Sequence, residues 1–488
     1  MKLAVNFRLV LYMCGWTFLM LAGAMLCPIA VSLITGDGAA EVFFRAAGAV
    51  ALFAAALIYQ GREKRKNDEI RSRDGLATVG LAWLTIGLLG ALPYWLCAAP
   101  LGFWDGVFES FSGFSTTGAT VISDVEALPP SLMFWRLLTH WLGGMGIIVL
   151  MLAVLPVFGL SGVQLFKNES TLGQYRLNPR LAQTAKLLWL IYLCLSLLLW
   201  ALLMAGGLGW FDALCHAMST IATGGFSNRN LSAGHFQNSW VEIILTVFMF
   251  LGSLNFAMYY LAVKGDWRAL PANTECRVFF YIILAAGLLV AVPLLLTGYY
   301  DSGPEALRLA YFQVVSVIST TGLTTADWES WPQFSQGVLF VLFFIGGCSG
   351  STSGGMKCVR WVLLFKGIRR TLRQHIHPRA VIPVRLGGQA VPESLMTAVW
   401  SFTVIYFLVM AASTLMLAAL NIDLLTAFSA SASALGNVGL GLGAVGPTEN
   451  FGHLPGPAKG ILSLGMYIGR LEFFSILILF MPEFWRKG

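Results

Sequence analysis

The sequence has few charged residues for its length. Only 11% of the 488 residues are Asp, Glu, Lys or Arg, whereas 57% are hydrophobic and the mean hydropathy is +0.74. Soluble globular domains carry about twice that share of charge, so the composition excludes a soluble protein and predicts a polytopic membrane protein. The net charge of +7 collects in short loops between apolar segments, as the positive-inside bias predicts, and therefore does not indicate nucleic-acid binding.

Cysteine and histidine are also scarce, and their spacing argues against a metal site. None of the eight cysteines forms a C-x-x-C pair, which disfavours both a disulfide framework and a zinc site. His375 and His377 form only a short pair in a basic loop. Carboxylates in the apolar segments are not spaced for general acid and base work, so the sequence argues against an enzyme.

Apolar segments of about 20 residues, the length that a bilayer core requires, predict ten membrane spans. They cover residues 9–33, 41–60, 76–98, 132–158, 185–206, 238–263, 277–298, 334–365, 395–420 and 457–482. The first is span-length and lacks a signal-peptide cleavage site, so it is expected to be retained. Basic loops within 61–73, 167–186, 264–277 and 366–385 alternate with acidic or neutral ones, which predicts that both termini are cytoplasmic.

Four shorter stretches between predicted spans share one pattern. Each begins with an acid, continues through about ten to fifteen apolar and small residues, too few to span a bilayer, and ends in a triplet closed by glycine. The triplets are Thr116-Thr117-Gly118, Ala222-Thr223-Gly224, Thr320-Thr321-Gly322 and Asn437-Val438-Gly439. Their glycines lie 106, 98 and 117 residues apart, which predicts a long internal repeat. The acids Asp105, Asp212, Glu305 and Asp423 are expected to cap the short helices.

Each repeat therefore consists of a span, a short re-entrant helix, a glycine triplet and a second span. Two crossings return the chain to its starting side, so the four units are parallel and are expected to surround one axis. The predicted fold is an all-α polytopic membrane protein with four pseudo-symmetric units around one pore and two extra N-terminal helices. The expected boundaries are 1–73 for the N-terminal helices with their basic cytoplasmic loop, then 74–180, 181–270, 271–385 with a broken inner helix, and 386–488.

The four triplets predict a selectivity filter. A cation that leaves water must exchange its hydration oxygens for protein oxygens, and backbone carbonyls supply these without fixed charge. Glycine permits the dihedral angles that turn successive carbonyls toward one axis. The hydroxyl groups of Thr116, Thr223 and Thr320 are candidate additional ligands. Helix packing by small residues is the alternative explanation for one such stretch, but four at a near-regular spacing favour the filter.

Two further features predict a gate. The predicted eighth span is interrupted by "GGCSGSTSGGMK", which lacks the Lys-Ser/Thr that a phosphate-binding loop requires. Such a backbone must be solvated by a pore, and its glycines suggest a barrier that moves aside at low cost. The gate residues are Gly346, Gly347, Gly350, Ser351, Thr352, Ser353, Gly354, Gly355 and Lys357.

Arg470 is the second of these features. It lies near the middle of the predicted tenth span, about 22 Å of helix from Trp485, too far to snorkel to the surface. The expectation is that it faces the pore, and the alternative is a structural ion pair, for example with Glu472.

These motifs resemble a known family. The four triplets, "GGCSGSTSGGMK", "SALGNVG" (433–439) and "GRLE" (469–472) are similar to those of the Trk/Ktr/HKT superfamily of potassium transporters, over essentially the whole chain. The two extra N-terminal spans resemble its bacterial TrkH/TrkG branch. The resemblance implies uptake of K⁺ across a bacterial inner membrane, with K⁺ bound at Thr116, Thr117, Thr223, Thr320, Thr321, Asn437 and Val438.

The resemblance also implies an assembly. It implies a homodimer in the lipid bilayer with one pore in each protomer, and a cytosolic TrkA-type ring that binds nucleotide, while this chain itself binds no cofactor. Two alternatives remain at this point. One is a sodium-permeable or cation-coupled symporter of the same fold, and the other is a metabolite transporter or membrane enzyme of a different class.

Overall fold

The computed structural model describes residues 5–62, 72–97, 101–153 and 181–486. This part of the chain is helical apart from loops and one antiparallel hairpin of β1 (Arg385–Leu386) and β2 (Gln389–Ala390). Three sequence features lie wholly or partly outside the described residues: the basic stretch 63–71, the end of the predicted fourth span at 154–158, and the basic loop from 167 to 180.

The helices fall into long spans, short helices between them, and brief connecting turns. In chain order they are α1 (Phe7–Ala24), α2 (Cys27–Thr35), α3 (Ala40–Gly61), α4 (Ser72–Leu89), α5 (Leu92–Leu96), α6 (Phe103–Phe114), α7 (Pro130–Ala153), α8 (Leu181–Ala205), α9 (Trp210–Ile221), α10 (Ser239–Gly252), α11 (Phe256–Val263), α12 (Ala269–Ala272), α13 (Thr274–Leu296), α14 (Gly303–Ile318), α15 (Gln333–Leu342), α16 (Cys358–Ile376), α17 (Glu393–Ala418), α18 (Leu424–Gly436), α19 (Gly456–Arg470), α20 (Phe474–Leu477) and α21 (Pro482–Trp485).

Within the part of the chain that the structure describes, some of the spans that hydropathy predicts are interrupted. Among the described residues, six helical segments are long and apolar enough to cross a membrane, and eight if two bent helix pairs are counted as one span each. The bends are 91° between α10 and α11 and 109° between α19 and the helix that follows it. The predicted eighth span is likewise divided into α15 and α16 by the loop at 343–357.

Local chemistry explains the two bends. Asn255 caps α11, because its side chain accepts a hydrogen bond from the Ala257 amide at 2.8 Å, so the helix restarts in a new direction. After α19, Glu472 and Phe473 adopt left-handed backbone with φ of 57° and 46°, which ends the helix at Arg470. Hydropathy alone does not reveal either break, since the flanking residues remain apolar.

The four short helices α6, α9, α14 and α18 are arranged in cyclic order. The helix that follows each short helix also packs against the next short helix: α7 on α9, α10 on α14, and α19 on α6. The remaining contact, from the third unit to the fourth, joins α15 to α18 through the rings of Phe340 and Phe428, whose centroids are 5.6 Å apart. The units therefore close into a ring in chain order.

The N-terminal helices pack outside this ring. α1 contacts α3 and α4, and α2 contacts α7. The amide of Ser131, at the start of α7, donates to the Asp37 carboxylate at 2.8 Å, which fixes the 36–39 turn to the first unit. Large apolar side chains on the outer surface, such as Leu52, Tyr59 and Leu296, are at least three-quarters exposed. An apolar exterior of this kind is the surface that a lipid bilayer covers.

Candidate functional site

All four short helices end in the same motif. The residue after each helix's last turn has left-handed backbone, and the next amide donates to the carbonyl of a serine five residues earlier, as in a Schellman motif. The left-handed residues are Thr116, Thr223, Thr320 and Asn437, with φ of 53°, 51°, 57° and 52°. The bonds join Thr117 N to Ser112 O, Gly224 N to Ser219 O, Thr321 N to Ser316 O and Val438 N to Ser433 O, at 2.8–3.0 Å.

This motif corrects the register of the second repeat. Two residues after the left-handed position, each segment has a glycine with positive φ: Gly118, Gly225, Gly322 and Gly439, at 85°, 86°, 77° and 88°. The residue that corresponds to Gly118 is therefore Gly225, and the sequence-based choice of Ala222-Thr223-Gly224 is one residue early. The sequence Thr223-Gly224-Gly225 offers two neighbouring glycines, and spacing alone could not choose between them. We call 116–118, 223–225, 320–322 and 437–439 the glycine segments.

The glycine segments form a closed ring. A Cβ atom on any of the four glycines would collide with a backbone carbonyl oxygen of the next segment in the chain. The contacts are Gly118 with Gly224 O, Gly225 with Thr321 O, Gly322 with Val438 O, and Gly439 with Thr117 O. Glycine is needed at these positions both for its backbone angle and for this close approach. Each of the four segments therefore contributes one carbonyl group to a closed cycle of contacts.

Side-chain hydrogen bonds stiffen alternate segments. In the first segment, the hydroxyl groups of Ser115 and Thr117 are 2.6 Å apart, and in the third the hydroxyl groups of Ser319 and Thr321 are 2.7 Å apart. The second and fourth segments have Ala222 and Gly436 at the serine position and lack this bond. Instead, the Asn437 amide reaches the Thr117 hydroxyl at 3.0 Å and joins the fourth segment to the first.

The loop at 346–355 lies against the helix-end side of the ring. The hydroxyl groups of Thr352 and Thr223 are 3.3 Å apart, and the Gly354 amide donates to the Thr320 hydroxyl at 2.7 Å. Gly354 also lies against the backbone and side chain of the fourth segment, at Gly436 and Asn437. The loop thus contacts the left-handed residues of three of the four segments.

Hydrogen bonds hold this loop firmly in place. The Thr352 hydroxyl oxygen lies 3.0 Å from both Ile221 O and Gly252 O, to which the hydroxyl can donate, and the Cys348 amide donates to Ser253 O at 2.9 Å. The buried Glu275 carboxylate accepts from the Ser349 amide at 2.7 Å. The low cost of movement that the glycines suggest does not apply to this conformation, because displacing the loop must break these bonds.

Lys357 closes the loop. Its backbone is left-handed, with φ of 70°, and its buried ammonium group donates to the Ser353 carbonyl. The Cys358 amide donates to Gly347 O at 3.0 Å, which joins the end of the loop to its beginning. Lys357 therefore stabilises the loop from within.

Arg470 contacts the same loop. Its side chain is 3% exposed and donates to Thr352 O at 2.6 Å and to Gly143 O at 3.3 Å. No carboxylate among the described residues forms an ion pair with it. Arg470 is the last residue of α19 rather than the middle of a straight span, because the chain turns immediately after it.

The alternative of an Arg470–Glu472 ion pair is wrong. The Glu472 carboxylate lies 2.5 Å from the guanidinium of Arg360, which also stacks over the Phe402 ring at 4.0 Å. Arg360 and Glu472 together connect α16 to the turn after α19. The charge of Arg470 thus remains available to the loop carbonyls.

Only one of the four acids at the short helices is a cap. Asp423 accepts from the Thr426 amide at 2.9 Å, in the expected way. Asp105, Asp212 and Glu305 lie inside the first turn, where they suit the helix dipole, and the capping positions are Gly102, Gly209 and Ser302. Each of the three has a basic partner: Lys459 lies 2.5 Å from Asp105, Arg229 lies 2.7 Å from Asp212, and Arg308 lies 4.0 Å from Glu305.

Polar loops join neighbouring units beyond the ring. Asp124 accepts from the Asn230 amide at 2.9 Å, and this hydrogen bond lowers the pKa of the Asp124 carboxyl below its usual value. Glu329 accepts from the Gly443 amide at 2.6 Å, and burial raises the pKa of Glu329. These contacts hold the first unit to the second and the third to the fourth.

Known proteins are similar to this chain over most of its length. Residues 40–487 match the TrkH family, described as cation transport protein. The chain is 39% identical to the Trk system potassium uptake protein TrkH of Halomonas elongata, over 99% of this chain and all of the relative. It is 35% identical to the Trk system potassium uptake protein TrkG of Escherichia coli, over 98% and 99% of the two chains.

A solved structure agrees with the fold. The crystal structure of the potassium transporter TrkH from Vibrio parahaemolyticus matches with a TM-score of 0.92 and 37% sequence identity. The match covers 99% of this chain and 100% of that one. The helical architecture described above is thus the architecture of that transporter.

Proposed function

This chain belongs to the TrkH family of cation transport proteins, and from that membership we propose how its ring of glycine segments serves potassium uptake. Full-length relatives are named potassium uptake proteins, and the chain is a potassium transporter of this kind. The family consists of transporters, so the chain is not an enzyme. K⁺ is the transported substrate.

We propose that K⁺ crosses through the ring. The observation that carries this proposal is the cyclic contact of each positive-φ glycine with a carbonyl of the next segment. Four carbonyl groups around one axis replace hydration oxygens at no net charge. The backbone of these segments is buried among four units, the only setting in which irregular backbone is tolerated at membrane depth.

The expected discrimination between K⁺ and Na⁺ is moderate. Each segment has one positive-φ glycine, whereas the potassium-channel sequence TVGYG has two glycines, so fewer ordered carbonyl layers are available. The hydroxyl groups of Thr116, Thr223 and Thr320 and the amide of Asn437 lie at the loop-facing end of the ring. We propose that they are additional ligands for an ion that enters or leaves there.

We propose that the loop at 346–355, with Lys357 and Arg470, is the gate. Its contacts with Thr223, Thr320 and Asn437 support a position across the conduction path. The Arg470 guanidinium adds a positive charge beside this path and holds the loop through Thr352 O. Opening requires the loop to leave these partners.

We propose that the chain works in a larger assembly. The relatives' names describe a Trk system, which supports a complex of more than one component in a membrane. We propose a homodimer in the bacterial inner membrane, with both termini cytoplasmic, that works with a TrkA-type ring carrying the nucleotide. The proposed units are the N-terminal helices (1–73) followed by 74–180, 181–270, 271–385 and 386–488.

Substitution of the ring glycines tests the filter. Serine at Gly118, Gly225, Gly322 or Gly439 introduces a Cβ atom against a carbonyl of the next segment, so each variant is expected to lower the Rb⁺/Na⁺ uptake ratio. Uptake is measured in proteoliposomes per folded protein. Gly207→Ser is the matched control, because Gly207 also has positive φ, at 96°, but faces open space. Unchanged ratios in all four ring variants would refute the filter.

A further inference from the structure

Each short helix holds the chain beyond its own glycine segment with a polar side chain. In the first three units this side chain comes seven residues before the left-handed residue, and in the fourth unit it comes eight before. The four residues are Glu109, His216, Gln313 and Ser429, and the side chains of all four are buried. Small-residue patterns did not reveal them, because the four differ in chemical type.

Their partners occupy equivalent places. Glu109 accepts from the Val121 amide at 2.7 Å, and Ser429 accepts from the Leu442 amide at 2.9 Å. His216 Nε2 lies 3.1 Å from the Ser227 hydroxyl. Gln313 donates to the Thr325 hydroxyl at 3.3 Å. Each partner lies four or five residues after the left-handed residue, so every segment is held at both ends by its own short helix.

The first unit adds a charged link to the second. Arg136 Nε lies 3.0 Å from Glu109 Oε2, and the two side chains are 2% and 0% exposed. Arg136 also donates to Ser227 O at 2.9 Å, and its guanidinium stacks 3.6 Å from the centroid of the Phe226 ring. Ser227 and Phe226 directly follow the second glycine segment. The pair therefore joins the outer ends of two neighbouring segments.

His140 completes the contact from the same helix. One turn after Arg136 on α7, its ring lies 4.1 Å from the Phe226 ring, centroid to centroid, and against Gly224. Arg136 and His140 thus contact the second segment on both sides of Phe226. The carboxylate of Glu109 connects this contact to the helix that precedes the first segment.

We propose that the buried Glu109–Arg136 pair positions the first two glycine segments relative to each other and that the discrimination of K⁺ over Na⁺ depends on this link. The inference rests on the proposed function, because it requires the glycine segments to be the filter. A buried ion pair is weak support for stability, since its charges lose hydration, but removal of one partner leaves the other uncompensated. The remaining charge would then pull its own segment toward new partners.

The test is selectivity per folded protein. Glu109→Gln keeps the size of the side chain and an acceptor for Val121 but removes the charge opposite Arg136. Arg136→Lys keeps the charge but loses the planar fork that reaches both Glu109 and Ser227 O. Each variant is expected to lower the Rb⁺/Na⁺ uptake ratio in proteoliposomes about three- to tenfold, which lies in the lower part of the range of couplings between residues of one network. Glu41→Gln is the control, since Glu41 pairs with Arg45 on the surface of α3.

A purely structural role predicts a different result, namely lower yield or thermal stability with a wild-type ratio in the protein that folds. That result in either variant overturns the proposal. If neither single variant folds, the neutral pair Glu109→Gln with Arg136→Gln is measured, and the same reduction in ratio is expected. A normal ratio in these variants, with reduced ratios in the glycine variants, refutes the link and leaves the filter standing. Normal ratios in the glycine variants refute the filter itself.

Discussion

Arg470 is the residue whose position most directly suggests regulation. A guanidinium about 6 Å from the ion path repels a cation by about 3 kcal/mol at an effective dielectric of about 20, or about a hundredfold in occupancy. Cavity water reduces this repulsion. The same side chain holds the loop through Thr352 O, so in the proposed gate electrostatics and hydrogen bonding both act against conduction.

Arg470→Ala is therefore expected to increase Rb⁺ uptake per folded protein, by severalfold after allowance for screening. Arg470→Lys is expected to change uptake less, because the charge remains while the fork geometry is lost. Arg45→Ala is the control, since Arg45 is an exposed arginine outside the ring. Lower uptake by well-folded Arg470→Ala would contradict the role as a brake.

At the residue scale, the sequence identified the glycines but not their supports. Gly118, Gly322 and Gly439 could be predicted because each follows a distinctive pair of residues, whereas Thr223-Gly224-Gly225 gave no unique choice. Glu109 lies one turn after Asp105 in a largely apolar stretch, and its partner Arg136 lies 27 residues away. Only the packing of α6 against α7 brings them together.

The interrupted inner helices are the main feature at the scale of elements. The bend after Gly252, the loop at 343–357 and the turn after Arg470 all occur next to the glycine segments. Gly252 lies against Thr223, and Gly469 lies against the backbone of Leu435. These breaks leave backbone groups free to bond with the loop, which explains how a glycine-rich segment is held so firmly.

Thr352→Val is expected to loosen the gate. The substitution removes the hydroxyl group that bonds to Ile221 O and Gly252 O and that approaches Thr223, while it nearly preserves side-chain size. Rb⁺ uptake should increase about three- to tenfold, the effect of losing one to two buried hydrogen bonds from the closed state. Stopped-flow flux measurements on reconstituted protein give this value.

The matched control is Thr403→Val, because the Thr403 hydroxyl bonds only to Val399 O of its own helix. Deletion of residues 350–353 should raise uptake further and reduce its dependence on a cytosolic partner. A folded Thr352→Val protein with unchanged or lower uptake would show that the loop is part of the scaffold rather than a barrier.

Hydropathy predicted some helices more accurately than others. Long uniform runs such as those that form α3, α13 and α17 were predicted within a few residues. The sixth and tenth predicted spans were wrong as straight helices, since a cap at Asn255 and left-handed backbone at Glu472 and Phe473 end them early. A polar residue within an apolar run was the available signal in both cases.

At the scale of the whole molecule, the chain builds one closed ring from four unlike units. The repeat spacing predicted four units, and the cyclic packing of inner helices on short helices closes them in chain order. The stiffening is unequal, because among the four glycine segments serine–threonine bonds occur only in the first and third, and the Glu109–Arg136 link lies between the first and second. Selectivity should therefore be more sensitive to changes in the first segment than a fourfold-symmetric ring would allow.

The position of a permeant ion tests the central claim most directly. Crystals of the full chain grown in Rb⁺, with data collected at the rubidium absorption edge, would locate the ion by anomalous scattering. We expect a peak on the ring axis, surrounded by the carbonyl oxygens of Thr117, Gly224, Thr321 and Val438. A preparation that transports Rb⁺ but shows its anomalous peaks only outside this ring would contradict this expectation.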